Sequence, residues 1–317
     1  MCLSRPALSD NLAQVEDTKS YLHPAPLTDR DLSQMMRTGS YRVKRVIDDL
    51  TLVLDNDKII RLVGLDIPDR HADKQPAHAI DAYNALKTAF AGKEVTLYQT
   101  RDKKKGRTNR MQHELAHIIR SRDKLWAQGL LLRNGFARLR TTPDNPELAA
   151  QMQEIEAQAR DDDLGLWTLP KYSVLSPQEA DTYINSFQIV EGRVRAVASV
   201  RNTIYLNFGQ NWRQDFTIAL PVSLRKDLLA QGLDPMTWQG KYVQARGWLE
   251  KYNGPYLDIT HIEKIQLIDR KDASYRPKMD KNAADNTAGH ARKTLPNGSE
   301  GNTLQILQST PAKDEMN

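Results

Sequence analysis

The chain has 317 residues, 39% of them hydrophobic and 27% charged, which suits about two globular domains with much solvated surface. Its single cysteine, Cys2, excludes an intramolecular disulfide and any cysteine-based zinc site, and the formal charge of +5 leans only mildly toward a polyanionic partner. No stretch reaches the ~20 apolar residues of a membrane-spanning helix.

Residues 1–39 are polar, contain proline and lack periodicity, and read as an N-terminal arm. The opening MCLSRPALSDNLAQ has no apolar run of the kind an export signal needs. As written, the chain is therefore expected to be cytoplasmic and free of membranes; a mis-assigned start would leave a periplasmic or secreted location open. From Tyr41, YRVKRVI and LTLVL alternate as strands, with DNDK as the turn before Ile59. IIRLVGLDI reads as a third strand and HADKQPAHA as a loop. AIDAYNALKTAF has helical spacing, with Ala79, Ala82, Leu86 and Phe90 on one stripe and Gly92 as the stop. KEVTLYQT is a fourth strand. Then comes a basic loop with six Lys or Arg residues in the ten positions Arg101 to Arg110. ELAHIIRS is a fifth strand, KLWAQGLLLRNG a helix, FARL a short extended piece, and PELAAQMQEIEAQARDDD a helix before LGLW.

A linker is expected over 171–183. A second strand-rich region runs over 184–268: EGRVRAVAS, NTIYLNFG, DFTIAL, the helix SLRKDLLAQG, and a hairpin of KYVQARGWLE with PYLDIT around Tyr252–Asn253–Gly254. Residues 269–317 are polar, nearly free of aromatics, and are expected to be a disordered tail.

Five motifs over residues 40–170 occur in an order that resembles the thermonuclease (staphylococcal-nuclease-like) family. VIDDLT is similar to its Asp-Gly-Asp-Thr segment, and RLVGLDIPD to Arg-x-x-x-x-Asp-x-Pro-Glu. RTNRMQHELAHI is similar to Asp-x-Tyr-Gly-Arg-x-Leu-Ala, LLLRNGFARL to the following helix end, and EAQARDDDLGLW to the closing Glu-x-x-Ala-Arg…Gly-x-Trp. The resemblance implies an α+β architecture, an OB-type β-barrel carrying helices. It also implies phosphodiester cleavage assisted by one hard cation, usually calcium. Carried over, Asp48 and Asp66 stand at metal-ligand positions, with Thr51 beside them. Arg61 stands at the first phosphate-binding arginine and Asp69 at the carboxylate that handles water.

Three positions depart from the motif. Leu50 replaces a carboxylate ligand. Asp69 is one methylene shorter than the family's glutamate. His113 stands where a second arginine belongs, and histidine cannot make a two-point contact with phosphate. Losing one preorganised charge-stabilising group costs roughly 10²–10³ in rate. The expected reading is thus a nucleic-acid-binding protein, DNA or RNA, with calcium weakened or absent and hydrolysis weak or lost. Arg107 and Arg110 of the basic loop are candidate contacts, and Asp49 is a candidate substitute for the lost ligand.

Residues 184–268 resemble the OB-like module that follows thermonuclease domains in some bacterial proteins, which makes a second barrel. There Tyr205, Tyr242, Arg246 and Trp248 are expected to face outward, suited to stacking bases and neutralising a backbone. Arg193 and Arg195 share one side of their strand. Two alternatives stay open: an active calcium-dependent nuclease with a rearranged site, and a protein-interaction scaffold of two OB-type barrels.

Overall fold

The computed structural model describes residues 20–211 and 213–269. Of the tail expected over 269–317, residues 270–317 lie outside the described residues, as do the first 19 residues and Trp212. Among the described residues no helix is long and apolar enough to cross a membrane.

Chain structure starts earlier than the alternation suggests. Tyr21, Leu27 and Leu32 pack against the first core, and a single-turn helix α1 (Asp29–Leu32) is closed by a Thr28–Asp31 capping box. β1 (Met36–Asp48) begins inside the segment expected to be an arm. It is long and bulged. Its first half pairs with β5 (Glu94–Gln99) and its second half with β2 (Thr51–Leu54). β2 turns into β3 (Ile59–Leu62), and β3 runs parallel to β6 (Glu114–Arg120). β6 then pairs with β5, closing a five-stranded barrel in the order β1-β2-β3-β6-β5.

The stretch IIRLVGLDI is not one strand. It breaks at Gly64, whose φ is +76°, and resumes as the two-residue β4 (Leu65–Asp66), which pairs with β7 (Arg138–Leu139). That break swings Asp66 off the barrel ladder. The helix α2 (Ala77–Phe90) buries the expected stripe of Ala79, Ala82, Leu86 and Phe90. α3 (Ala127–Arg133) and α4 (Ala149–Asp161) cover the rest of the core around the fully buried Trp126.

Two glycines join the last helices. Gly135 (φ +65°) and Gly165 (φ +55°) cross so closely that a Cβ on either would collide with backbone of the other's segment, and Leu166 N–H donates to the Gly135 carbonyl at 2.8 Å. Gly135→Ala is expected to cost about 2–4 kcal/mol, from left-handed strain plus overpacking. A urea midpoint equal to that of the unmodified protein would contradict this.

The second strand region repeats the connectivity. β8 (Ser186–Arg193) and β9 (Ala196–Val200) are one bent strand with its corner at Val194–Arg195, inside the stretch EGRVRAVAS that the alternation reads as a strand. β9 pairs with β10 (Thr203–Asn207), and β10 with β11 (Thr217–Pro221). After α5 (Val222–Ala230) come β12 (Tyr242–Tyr252) and β13 (Gly254–Asp258). β11 runs parallel to β13, β13 pairs with β12, and β12 returns to β8 along eight residue pairs. The ladder circuit thus closes through the bent strand in the same order as the first barrel. β14 (Ile265–Ile268) adds to the free edge of β12 at Tyr242–Ala245.

The segment 171–183 lies against both barrels. Tyr172, Val174, Leu175 and Ala180 are buried, and Tyr172 and Val174 share a small core with Ala159, Leu166 and Trp167 of the first region and Ile189 of the second. Arg246, expected to face outward toward nucleic acid, is instead 2% exposed at the seam between the barrels. It reaches across to Glu156, itself fully buried, with Nη2 2.8 Å from Oε2 and Nη1 3.1 Å from Oε1. Arg160 and the Leu139 N–H complete the shell of that carboxylate at 2.6 and 2.7 Å. Burial pushes Glu156 up, but Arg246 and Arg160 outweigh it and hold the carboxyl below its ordinary range. Alternation along β12 is physically sound as a guide to side. It does not reveal that this outer side is covered by another barrel.

Candidate functional site

The tight turn between β1 and β2 carries Asp48, Asp49 and Leu50. Leu50 is 2% exposed and sits in the barrel core, so its side chain plays no polar part. Asp48 accepts the Leu50 N–H at 2.8 Å, closing the turn. Arg61, one strand over on β3, donates to the Thr51 hydroxyl at 3.1 Å and stands 4.0 Å from Asp48. These positions follow from register, since Thr51 pairs directly with Arg61.

A residue the sequence reading passed over completes the group. Arg70 Nη2 lies 2.5 Å from Asp49 Oδ1 and 3.2 Å from Asp48 Oδ1. One guanidinium therefore bridges both carboxylates. Burial pushes Asp49 up to about 6 even with that cation beside it, whereas Asp48, also raised by burial, is brought below its usual value by hydrogen bonds and by Arg70 and Arg61. Burial and the neighbouring Arg70 lower Arg61 from its ordinary value. A basic residue after Asp-x-Pro-Asp carries no motif signal; only the path of the loop brings Arg70 back to the β1–β2 turn.

Asp66 and Asp69 are engaged elsewhere. Both Asp66 oxygens face arginines, Arg138 Nε at 2.8 Å and Arg140 Nη1 at 3.4 Å. Arg138 is in turn held by the second barrel: its Nη1 donates to the Phe187 carbonyl at 2.9 Å and its guanidinium stacks 4.6 Å from the Phe187 ring centroid. Asp69 has φ +55°, a conformation aspartate tolerates better than most residues. One of its oxygens accepts Lys171 Nζ at 2.5 Å and the Tyr172 hydroxyl at 2.7 Å, and these two bonds lower its pKa. Lys171 and Tyr172 belong to the segment expected as a linker.

The donor set does not fit a hard cation. Such an ion takes six or more oxygens, several from carboxylates. Here Asp48 and Asp49 share an arginine, Asp66 is held by two more, the Leu50 side chain offers no oxygen, and the Leu50 carbonyl already accepts the Leu62 N–H at 2.9 Å. Among the described residues no group of three or more His, Cys, Asp or Glu is arranged to hold a metal ion. The guanidinium of Arg70 occupies the chemical role of cation between the acids.

His113 is half-buried just before β6, and its backbone N–H donates to Asn109 Oδ1 at 3.0 Å. Arg110 is exposed. Arg107 is partly spent: its Nε donates to the Thr100 carbonyl at 2.9 Å and pins the basic loop. His117 is buried against Trp126, with ring centroids 5.6 Å apart.

On the second barrel, Trp248 is 51% and Tyr252 66% exposed, on the same side of β12 as Glu250. The Tyr252 and Tyr256 rings stand 5.6 Å apart, edge to face. Burial, Asp258 and the neighbouring Tyr205, Tyr252 and Glu250 push the Tyr256 hydroxyl up to about 12. This face is aromatic, yet its charges are acidic.

Residues 59–169 match the family model described as staphylococcal nuclease homologue. Over 139 residues the chain is 28% identical to a thermonuclease from Staphylococcus intermedius, an alignment covering 42% of this chain and 78% of that protein. The chain therefore carries a thermonuclease-like domain, which points to a nuclease-related or nucleic-acid-related role.

Proposed function

We propose that this thermonuclease-like chain binds nucleic acid through a phosphate site built on arginine, with phosphodiester hydrolysis weak or lost. The observation that carries the reading is the Asp48–Asp49–Arg70–Arg61 cluster, in which a side-chain cation stands between acids of the kind the fold would offer to a metal. Arg61 is the more accessible guanidinium, with 32% of its side chain exposed against 12% for Arg70. Thr51 and Asp48 orient it, so it meets a phosphate with little ordering cost. Arg110 and the basic loop extend the positive surface. Asp69, bonded by Lys171 and Tyr172, has its charge already satisfied and is a poor acceptor of a proton from water.

The test is binding and cleavage of labelled single- and double-stranded DNA and RNA, with millimolar calcium or with chelator. Salt-sensitive binding unaffected by chelator is expected, and Arg61→Ala should weaken it by roughly tenfold. Calcium should leave the thermal midpoint unchanged, whereas Arg70→Gln should lower that midpoint and gain a calcium-dependent recovery, because the acids then lack their internal cation. Calcium-dependent cleavage that Asp66→Asn abolishes would overturn the proposal in favour of an active nuclease. Absence of any nucleic-acid binding would favour the scaffold reading.

A further inference from the structure

The corner of the bent strand β8–β9 opens a groove of about 540 Å³ on the second barrel. Arg193, Arg195 and Tyr242 line it, with Phe208 at its floor, and its lining contains no carboxylate. A continuation of about 770 Å³ shares Arg193 and Tyr242 and adds Lys241 together with one carboxylate, Asp269, so the excess of positive charge is greatest in the first hollow. Val194 points into the core at 1% exposure, so Arg193 and Arg195 both point out, about 6–7 Å apart along the chain. The Gly240 carbonyl accepts Arg193 Nε at 2.9 Å, which ties that guanidinium to another lining residue of the groove. Gly192 has no side chain to collide with Pro177 and Phe208, which lets residue 177 form the groove wall against β8.

We infer that this groove binds a single nucleic-acid strand, with successive phosphates on Arg193 and Arg195 and a base against Tyr242. The inference rests on the nucleic-acid reading above but concerns a separate surface. Three arginine or lysine side chains around a partly apolar floor match a polyanion with flat bases. The chain continuing past Asp269 begins Arg270–Lys271, of the same sign as the groove, and so is a poor occupant. The aromatic face around Tyr252 and Tyr256 is the rival on this barrel. Its Glu250 and Asp258 repel a phosphate backbone, whereas the groove attracts one.

The experiment measures fluorescence anisotropy of a labelled oligothymidine and a labelled oligouridine, on the full chain, across a salt series. Arg193→Glu/Arg195→Glu is compared with a matched charge reversal of two exposed residues elsewhere, Arg122→Glu/Lys226→Glu. The groove variant should bind roughly tenfold or more weakly, with a salt slope shallower by about 1.4, the value for two lost phosphate contacts on a single strand. The matched variant should change by less than about threefold. Photo-cross-linking with a thiouridine-containing strand should mark Tyr242 or Phe208. Equal losses in the two charge variants, or cross-links confined to the first barrel, would overturn the groove while leaving the Arg61 site standing. Failure of the unmodified protein to bind either strand would overturn both.

Discussion

Arg246→Ala is expected to lower stability by about 3–5 kcal/mol, the range for removing one partner of a buried, hydrogen-bonded ion pair. Glu156 is fully buried and Arg246 is 2% exposed, so truncation leaves a carboxylate inside the seam with Arg160 as its remaining cation. The loss includes the bond from Arg246 Nη1 to the Leu139 carbonyl at 3.3 Å. Because Arg246 lies on β12 and Glu156 on α4, the pair joins the two barrels. The unmodified protein should therefore unfold over one calorimetric transition, and Arg246→Ala should separate it into two. Arg246→Lys keeps the charge without the fork and should recover part of the loss. An unfolding free energy for Arg246→Ala within about 1 kcal/mol of the parent would mean that the seam carries little of the stability.

Acid should destabilise the protein through two buried histidines. Burial holds His117 down at about 3, from an ordinary 6.5. Burial, with Lys264 nearby, holds His261 at about 4. Both folded values lie below those of the unfolded chain. Between about pH 6.5 and 4 the unfolded state thus binds more protons, and stability falls as pH falls through that window. Each histidine contributes on the order of 2–3 kcal/mol between pH 7 and pH 4. His261 bonds Thr141 at 3.0 Å, again between the barrels, so the seam is one place where acid acts. His117 Nδ1 has no hydrogen-bond partner among the described residues, so His117→Leu should fold and should lose less stability from pH 7 to pH 4 than the parent. Identical pH profiles in urea denaturation would refute the assignment.

Much of this fold is written in local patterns. The helix stripe of Ala79, Ala82, Leu86 and Phe90, the strands at LTLVL and KEVTLYQT and the hairpin at Asn253–Gly254 appear as the sequence suggests, because each depends on neighbours within a few residues. What escaped are relations between segments. Arg246 looks like an outward residue until α4 covers it. Arg70 looks like a loop charge until the loop folds back over Asp48 and Asp49. Lys171 and Tyr172 look like linker until they bond Asp69. IIRLVGLDI looks like one strand until Gly64 breaks it and turns Asp66 toward Arg138. In each case the deciding quantity is a distance across the chain, which spacing and composition do not encode.

The hold of Arg138 on Asp66 bears on how this scaffold can be re-engineered. Writing a motif back into the sequence does not by itself write back a reaction centre. Leu50→Asp would put a carboxylate where leucine now fills the first core, with no cation awaiting it. His113→Arg would add a guanidinium to a neighbourhood already supplied with them. Asp66 would still be captive to a guanidinium clamped on Phe187 of the other barrel, so a designer working on the first barrel would have to begin by editing the second.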